Sequence, residues 1–326
     1  MRFGIIGGGA WGTALAQITS AEGNETLIWA MEDEVVQAIN ERHENPVFLS
    51  GTRLNSSVRA TRELAEVGGC DALLVVTPAQ HMRAVLERTP VGNKPLVLCA
   101  KGIEEESGRL LHQVAMDACP GAPIAVLSGP TFAHEVARGL PTAVTLAAHD
   151  PGLAESLRKS IARPTFRIYV SDDVAGAEIG GAVKNVLAIA CGVVEGKGLG
   201  QNARAALIAR GFAELRRFGM ALGARLETLS GLSGLGDLFL TCSSTSSRNY
   251  SLGIGIGEGR PAAELLSNRK TVAEGAFTAP VLARLAREKE VDMPIVDAVN
   301  ALVSGRSDVD EVLDSLLSRP PRAEGV

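Results

Sequence analysis

The chain has 326 residues, 46% of them apolar and 21% charged, with a formal net charge of −5. The length exceeds one small core and predicts about two domains, and the composition is that of an ordinary globular protein. The acidic balance argues against nucleic acid as the main partner.

The first half alternates short apolar runs with amphipathic segments. Strands are expected at Arg2–Ile6, Glu25–Ala30, Ala72–Thr77, Leu96–Ala100, Ile124–Leu127, Thr142–Ala147 and Phe166–Tyr169. Helical patterns fall between several of them, at Gly12–Ser20, Glu32–Glu41 and Gly108–Cys119. This alternation predicts an α/β domain over residues 1–173, a Rossmann-type doubly wound, mainly parallel sheet with helices on both faces. Ligands on such sheets bind at the carboxyl ends of the strands.

After residue 173 strand-like runs disappear. Helical spacing takes over at Ala175–Val194, Ala203–Gly219, Ala262–Leu265, Ala279–Lys289, Pro294–Val303 and Val309–Leu317. An all-helical C-terminal domain is therefore expected over residues 174–326, joined to the first by a continuous helix or a tight turn. The tail RPPRAEGV is expected to be disordered.

No run approaches the roughly eighteen continuous apolar residues of a membrane span. The N-terminus enters a strand and a glycine turn too soon to be a signal peptide. The five cysteines are scattered and lack C-x-x-C spacing, which suits reduced core thiols. The expected location is the cytoplasm. The five histidines show no ligand spacing either, so no metal is expected.

Four stretches carry candidate chemistry. The first is FGIIGGGAWG, where Gly7, Gly9 and Gly12 fit G-x-G-x-x-G between a strand and a helix. With Ala10 and Trp11 they form a turn whose amides can approach a pyrophosphate at a helix N-terminus. A glycine turn without a ligand is the plain alternative. About twenty residues on come Met31 and Glu32. Glu32 either accepts hydrogen bonds from a ribose 2′-OH or simply begins the next helix, where a carboxylate suits the dipole. No arginine occurs between Arg2 and Arg42, which leans toward NAD over NADP.

The second stretch places Lys101 after an apolar strand, able to hold a phosphate or carboxylate or simply to be solvated. The stretch Leu127–Ala133 also follows a strand and ends in a helix start. Its amides and hydroxyls, including Gly129 and Thr131, either line a nicotinamide or form a capped turn.

In the third, GAEIGGAVKNVLAIACG, Lys184 stands among small and apolar residues. On a helix, Gly180, Gly181, Lys184, Leu187, Ala188 and Cys191 share one face, and the glycines thin it beside Lys184, which would let a substrate or cofactor approach. The amine either snorkels to water or acts in proton transfer.

The fourth, GLSGLGDLFLTCSSTSSRNYS, holds Asp237 and, four residues on, Thr241. Its Ser247-Arg248-Asn249 is either a phosphate clamp or a solvated polar loop.

Together these segments, with GGAVKNVLAIACGVVEGKGLGQNARAALIARGFAEL and VAEGAFT, closely resemble the bacterial type of NAD(P)-dependent glycerol-3-phosphate dehydrogenase. They run in the family's order from residue 7 to about residue 278. The resemblance implies reduction of dihydroxyacetone phosphate to sn-glycerol 3-phosphate for glycerophospholipid synthesis, with NAD or NADP, in a homodimer. It implies Lys184 as proton donor and acceptor, with Asn185, Lys101, Asp237 and Thr241 around substrate and amine. Ser247, Arg248 and Asn249 would meet substrate phosphate, Arg248 also cofactor. Lys101, Gly129, Thr131, Ala133, Val272 and Glu274 would contact the cofactor, Lys101, Gly129 and Thr131 also lying by the substrate. Where relatives carry Trp-x-Arg or Trp-x-His, this chain has Trp29-Ala30-Met31, and methionine cannot pair with a 2′-phosphate. Two other readings remain at this point. One is a hydroxyacid dehydrogenase of the same plan, disfavoured because Lys184 and Asn185 are adjacent. The other is a dinucleotide sensor without chemistry.

Overall fold

The computed structural model describes residues 1–267 and 272–320. The final residues of the tail expected to be disordered, 321–326, lie outside them. The chain forms two compact units. The first comprises Met1–Lys101 and Leu110–Ala177, the second Gly102–Arg109 and the chain from Glu178 onward.

The first unit runs β1 (Phe3–Ile6), α1 (Ala10–Thr19), β2 (Thr26–Trp29), α2 (Asp33–Arg42), β3 (Glu44–Asn45), β4 (Leu49–Arg53), β5 (Val58–Thr61), α3 (Leu64–Gly68), β6 (Ala72–Val75), α4 (Met82–Glu87), β7 (Leu96–Leu98), α5 (Leu111–Ala118), β8 (Ile124–Ser128), α6 (Ala133–Ala137), β9 (Thr142–Ala147), α7 (Pro151–Ile161) and β10 (Phe166–Ser171). Eight strands form one sheet in the order β10-β9-β8-β7-β6-β1-β2-β5. Every pairing is parallel except β8 with β9.

Successive residues of a strand point to opposite faces, and both faces of a parallel sheet are covered. Accordingly Ile5, Ile28, Leu74 and Val97 belong to one buried cluster, and Ile6, Leu73, Val75 and Leu96 to another. The central strand β1 is apolar throughout because water reaches neither face.

All seven expected strands are present, each within two residues of its expected ends. The β3–β4 hairpin and edge strand β5 were not expected. β3 and β4 form a separate two-stranded sheet, and the sequences EN, LSGTR and VRAT are short and mix polar with apolar residues without strand-like alternation. Helix α7, which Asp150 caps through Gly152 N at 2.8 Å, was also not expected.

The remaining elements are α8 (Val174–Gly196), α9 (Gly200–Ala221), α10 (Leu226–Leu229), α11 (Asp237–Cys242), α12 (Arg248–Gly257), α13 (Ala262–Ser267), α14 (Glu274–Glu288), α15 (Pro294–Val303) and α16 (Val309–Leu317). The division between units falls inside α8, so the junction is the expected continuous helix. By length and mean hydropathy α8 passes for a membrane span, although its sequence has no unbroken apolar run. Its most apolar window is wholly buried, as in a core helix. All five cysteines are buried thiols.

Glu214 fastens α9 to α15. Its carboxylate accepts from Ile295 N at 2.8 Å and Val296 N at 3.2 Å, supplying the cap that Met293 cannot. Burial nevertheless pushes the carboxyl up to about 8, against these two bonds and the charge of Arg217. Between the ordinary carboxylate range and pH 8 the folded chain keeps a proton that the unfolded chain has released. This group's contribution to stability therefore falls as pH rises through that window, by at most about 1.4 kcal/mol per pH unit. Chemical denaturation from pH 5 to pH 8 is expected to show that slope in the wild type and its loss in Glu214→Gln. An equal slope in both would show that the carboxyl stays ionised throughout.

Candidate functional site

In the first unit, β1 delivers the chain into the glycine turn and α1 leaves it. A Cβ on Gly12 would stand 1.9 Å from Gly7 O, so the turn closes only with glycine there. A Cβ on Gly9 would meet nothing within 4 Å, so the approach to the helix N-terminus is open. No side chain caps α1 at Gly9, and its first turn has no acid to repel an anion. Buried Asn45, in β3, locks the turn: its Nδ2 donates to Gly8 O and to Thr13 Oγ1, each at 2.8 Å. No sequence pattern marks that residue, because β3 is two residues long.

Met31 and Glu32 follow β2 and are exposed. Glu32 takes the N-cap position of α2, yet its side chain makes no capping bond. The helix-start reading therefore describes its backbone only. Edge strand β5 lies beside β2, with Thr61 opposite Trp29. The next residue, Arg62, donates to Asp33 Oδ1 at 2.7 Å. A cation thus pairs with Asp33, the residue after Glu32, from the end of a strand that the sequence pattern did not reveal.

At the same sheet edge, Lys101 Nζ donates to Gly129 O at 3.1 Å, and Thr131 Oγ1 to the same oxygen at 3.3 Å. Ala133 opens α6 just beyond. Two buried hydroxyls, Thr77 Oγ1 beyond β6 and Ser128 Oγ ending β8, have no hydrogen-bond partner among the described residues. Both lie at the strand ends where ligands of such sheets bind. Open glycine turn, uncapped helix and unsatisfied hydroxyls all fit a dinucleotide.

In the second unit, Lys184 is 5% exposed, so its amine does not snorkel to water. Nζ donates to Asp237 Oδ1 at 2.6 Å and to Thr241 Oγ1 at 2.8 Å. Asp237 opens α11, and Thr241 lies one turn further on the same face. The wide turn Leu232–Gly236 sets Asp237 in place, with Gly236 N donating to Gly231 O at 3.0 Å. That turn presses on α8 at Gly180, where a Cβ would stand 2.3 Å from Ser233 O. At Gly180 the thinned helix face therefore admits the protein's own backbone, one turn before Lys184. This corrects the expectation that Gly180 makes room there for a ligand.

Asn185 faces a second buried chain. Its Oδ1 accepts from Asn249 Nδ2 at 3.0 Å, and Asn249 Oδ1 accepts from Gly275 N at 2.9 Å, beside Glu274 at the start of α14. Ser247 caps α12, its Oγ accepting from Tyr250 N at 3.2 Å. Arg248 begins that helix. Partial desolvation lowers its guanidinium from the ordinary value, and the charge of Glu274 opposes the shift. Val272 is half-buried just before α14. The structure thus gathers Lys184, Asp237 and Thr241 in one cluster and Asn185, Asn249 and Gly275 in another. Lys101, Gly129 and Thr131 form a third, in the first unit.

Gly180→Ala is expected to displace the turn that carries Asp237. Overpacking of this kind costs about 1–3 kcal/mol. A lowered melting temperature together with reduced turnover is the expected result, and unchanged values of both would show that the turn yields without consequence.

The family description "NAD-dependent glycerol-3-phosphate dehydrogenase N-terminus" matches residues 2–154, and its C-terminus counterpart matches residues 173–314. The glycerol-3-phosphate dehydrogenase [NAD(P)+] of Erythrobacter litoralis is 63% identical over 320 residues, covering 98% of this chain and 97% of that protein. The crystal structure of glycerol-3-phosphate dehydrogenase from Coxiella burnetii superposes with a TM-score of 0.93 at 35% identity, covering 98% of this chain and 99% of that one. D-mandelate dehydrogenase, at 16% identity and a TM-score of 0.65 over 98% of this chain and 100% of that one, shares the fold alone. The chain belongs to the NAD-dependent glycerol-3-phosphate dehydrogenase family.

Proposed function

We propose that this chain reduces dihydroxyacetone phosphate to sn-glycerol 3-phosphate with NADH or NADPH, feeding glycerophospholipid synthesis. It is an NAD(P)-dependent oxidoreductase of its family. The observation that carries the residue assignment is the buried contact of Lys184 with Asp237 and Thr241. A lysine taken out of water and held by a carboxylate and a hydroxyl is poised for proton transfer.

Gly7, Gly9, Ala10, Trp11 and Gly12 would hold the dinucleotide, which when bound would supply the hydride for the ketone carbon. Lys184 Nζ gives its proton to the oxygen that becomes the new hydroxyl, and its charge stabilises the developing alkoxide. Asp237 and Thr241 fix the direction of that amine. Asn185 and Asn249 hold the surrounding backbone, and with Ser247 they border the substrate. Arg248 takes the substrate phosphate by charge-assisted hydrogen bonds and also meets the cofactor, as do Val272 and Glu274. Lys101 adds a cation for the anionic substrate from the sheet edge, with Gly129, Thr131 and Ala133 lining the nicotinamide. Residues 1–173 serve the cofactor, and residues 174–326 serve the substrate. Buried reduced thiols support a cytoplasmic location, and we place the enzyme there as a homodimer.

The hydroxyacid dehydrogenase reading fails on the adjacency of Lys184 and Asn185 and on family membership. A sensor without chemistry would have no use for a desolvated lysine–aspartate pair.

Loss of NADH absorbance on adding dihydroxyacetone phosphate tests the activity. Lys184→Ala is expected to lower kcat by about 10²–10⁴-fold while leaving NADH affinity nearly intact. A folded variant that kept more than about a tenth of the wild-type kcat would remove Lys184 from the role of acid.

Met31 and Glu32 favour a free 2′-OH, and Arg62, paired with Asp33, is the cation we assign to a 2′-phosphate. The wild type is therefore expected to use NADH at least as well as NADPH. Arg62→Ala is expected to lower kcat/KM for NADPH several-fold more than for NADH. Equal losses with the two cofactors would show that Arg62 acts only by tying β5 to α2.

A further inference from the structure

In the second unit, α8 and α12 meet backbone to backbone. A Cβ on Gly192 of α8 would stand 2.1 Å from Tyr250 O, and a Cβ on Gly253 of α12 would stand 2.0 Å from Ile189 O. Gly196 and Gly257, four residues further along each helix, repeat the contact against Ile254 O and Val193 O. Residues four apart share a helix face, so the four glycines form one seam. A seam of this kind brings two helices close. It has no side chains to interdigitate, so their register must come from other contacts.

Tyr250 supplies such a contact in the first turn of α12. Its ring is buried, 2% exposed. Its hydroxyl accepts from Arg204 Nη1 of α9 at 2.9 Å and donates to Glu195 Oε2 of α8 at 3.3 Å. The same Arg204 Nη1 stands 3.1 Å from that carboxylate oxygen, which closes a triangle across three helices. A phenylalanine would fill the same space. What the hydroxyl adds is direction, through one charged donor and one charged acceptor.

That direction bears on the site. Arg248 lies two residues before Tyr250, and the two side chains leave α12 about 200° apart. Turning one about the helix axis turns the other. Asn249, between them, bonds Asn185, the neighbour of Lys184. The amine on α8 and the guanidinium on α12 are thus spaced by the glycine seam and oriented by the Tyr250 hydroxyl.

We propose that Tyr250, held by Arg204 and Glu195, is a positioning residue that sets the span between Arg248 and Lys184 and so selects a ketone whose phosphate ester sits on the neighbouring carbon. The inference rests on the reading of Arg248 as the phosphate ligand and Lys184 as the acid. It adds that the fit is decided by a hydroxyl to which no contact with substrate or cofactor is assigned.

The test is steady-state kinetics of Tyr250→Phe, beside Arg248→Ala and the double variant. The substrates are dihydroxyacetone phosphate, unphosphorylated dihydroxyacetone and the homologue one carbon longer, 4-hydroxy-3-oxobutyl phosphate. Tyr250→Phe is expected to raise KM for dihydroxyacetone phosphate about tenfold with little change in kcat, because hydrogen bonds to two charged groups are lost. Its kcat/KM for dihydroxyacetone, its NADH affinity and its melting temperature are expected to stay close to wild type. Discrimination against the longer phosphate is expected to narrow several-fold. In the double variant the tyrosine change is expected to add nothing to the loss in Arg248→Ala, because both act through one contact. A wild-type KM in Tyr250→Phe overturns the proposal. So do equal losses with and without the phosphate, additive losses in the double variant, or unchanged discrimination between the two phosphates, since each leaves Tyr250 a merely structural part. A wild-type KM in Arg248→Ala overturns the reading of Arg248 itself, and the proposal falls with it.

Discussion

The contact between Lys184 Nζ and Asp237 Oδ1, 2.6 Å long and shielded from water, is the constraint around which the helical unit is arranged. Taking either charge out of water alone costs several kcal/mol, and the attraction between them offsets that cost only when the geometry is good. Good geometry needs α8 and α11 in a fixed register across 53 residues of sequence. Gly180 permits that register by letting the backbone of Ser233 come against α8 one turn before the lysine. Thr241 completes it, with a hydroxyl that accepts from the amine and stands 3.4 Å from the same carboxylate oxygen. An ion pair that contributes little net stability thereby fixes an amine in one direction, which is what proton transfer requires.

The second polar chain, Asn185 to Asn249 to the amide of Gly275, works differently. It carries no net charge and satisfies three buried groups in sequence. It ties the first turns of α12 and α14 to α8, and those turns carry Arg248 and Glu274. The adjacency of Lys184 and Asn185 thus sends two consecutive side chains to two different networks. A hundred degrees of helical rotation separates them, so one residue step changes the face from the amine's cluster to the amide chain.

In the first unit the same economy appears at the glycine turn. The turn needs backbone amides facing outward and nothing above them, so it cannot stabilise itself with side chains of its own. Asn45 does so from a short hairpin, holding Gly8 O and Thr13 Oγ1. Glu214 plays the corresponding part in the second unit, capping α15 from α9 at the expense of a buried carboxyl.

The sequence by itself determined the fold class, the place where strands give way to helices and the stretches that hold the candidate site residues. Those signals are local: apolar runs, glycines at a strand-to-helix turn, a lysine among alanines. Period and composition record them because each depends on a residue and its near neighbours. The short strands β3 and β5 left no such record, since a few residues of mixed polarity show no period and read as loops, and with them Asn45 and Arg62 went unseen. The sequence also marked Gly180 as small without saying what would use the space. Only the tertiary structure decided that the Leu232–Gly236 turn fills it and that Lys184 meets Asp237 rather than water. Each of those outcomes depends on which distant backbone comes to rest against which helix face, and pairing across tens of residues leaves no periodic trace in the chain.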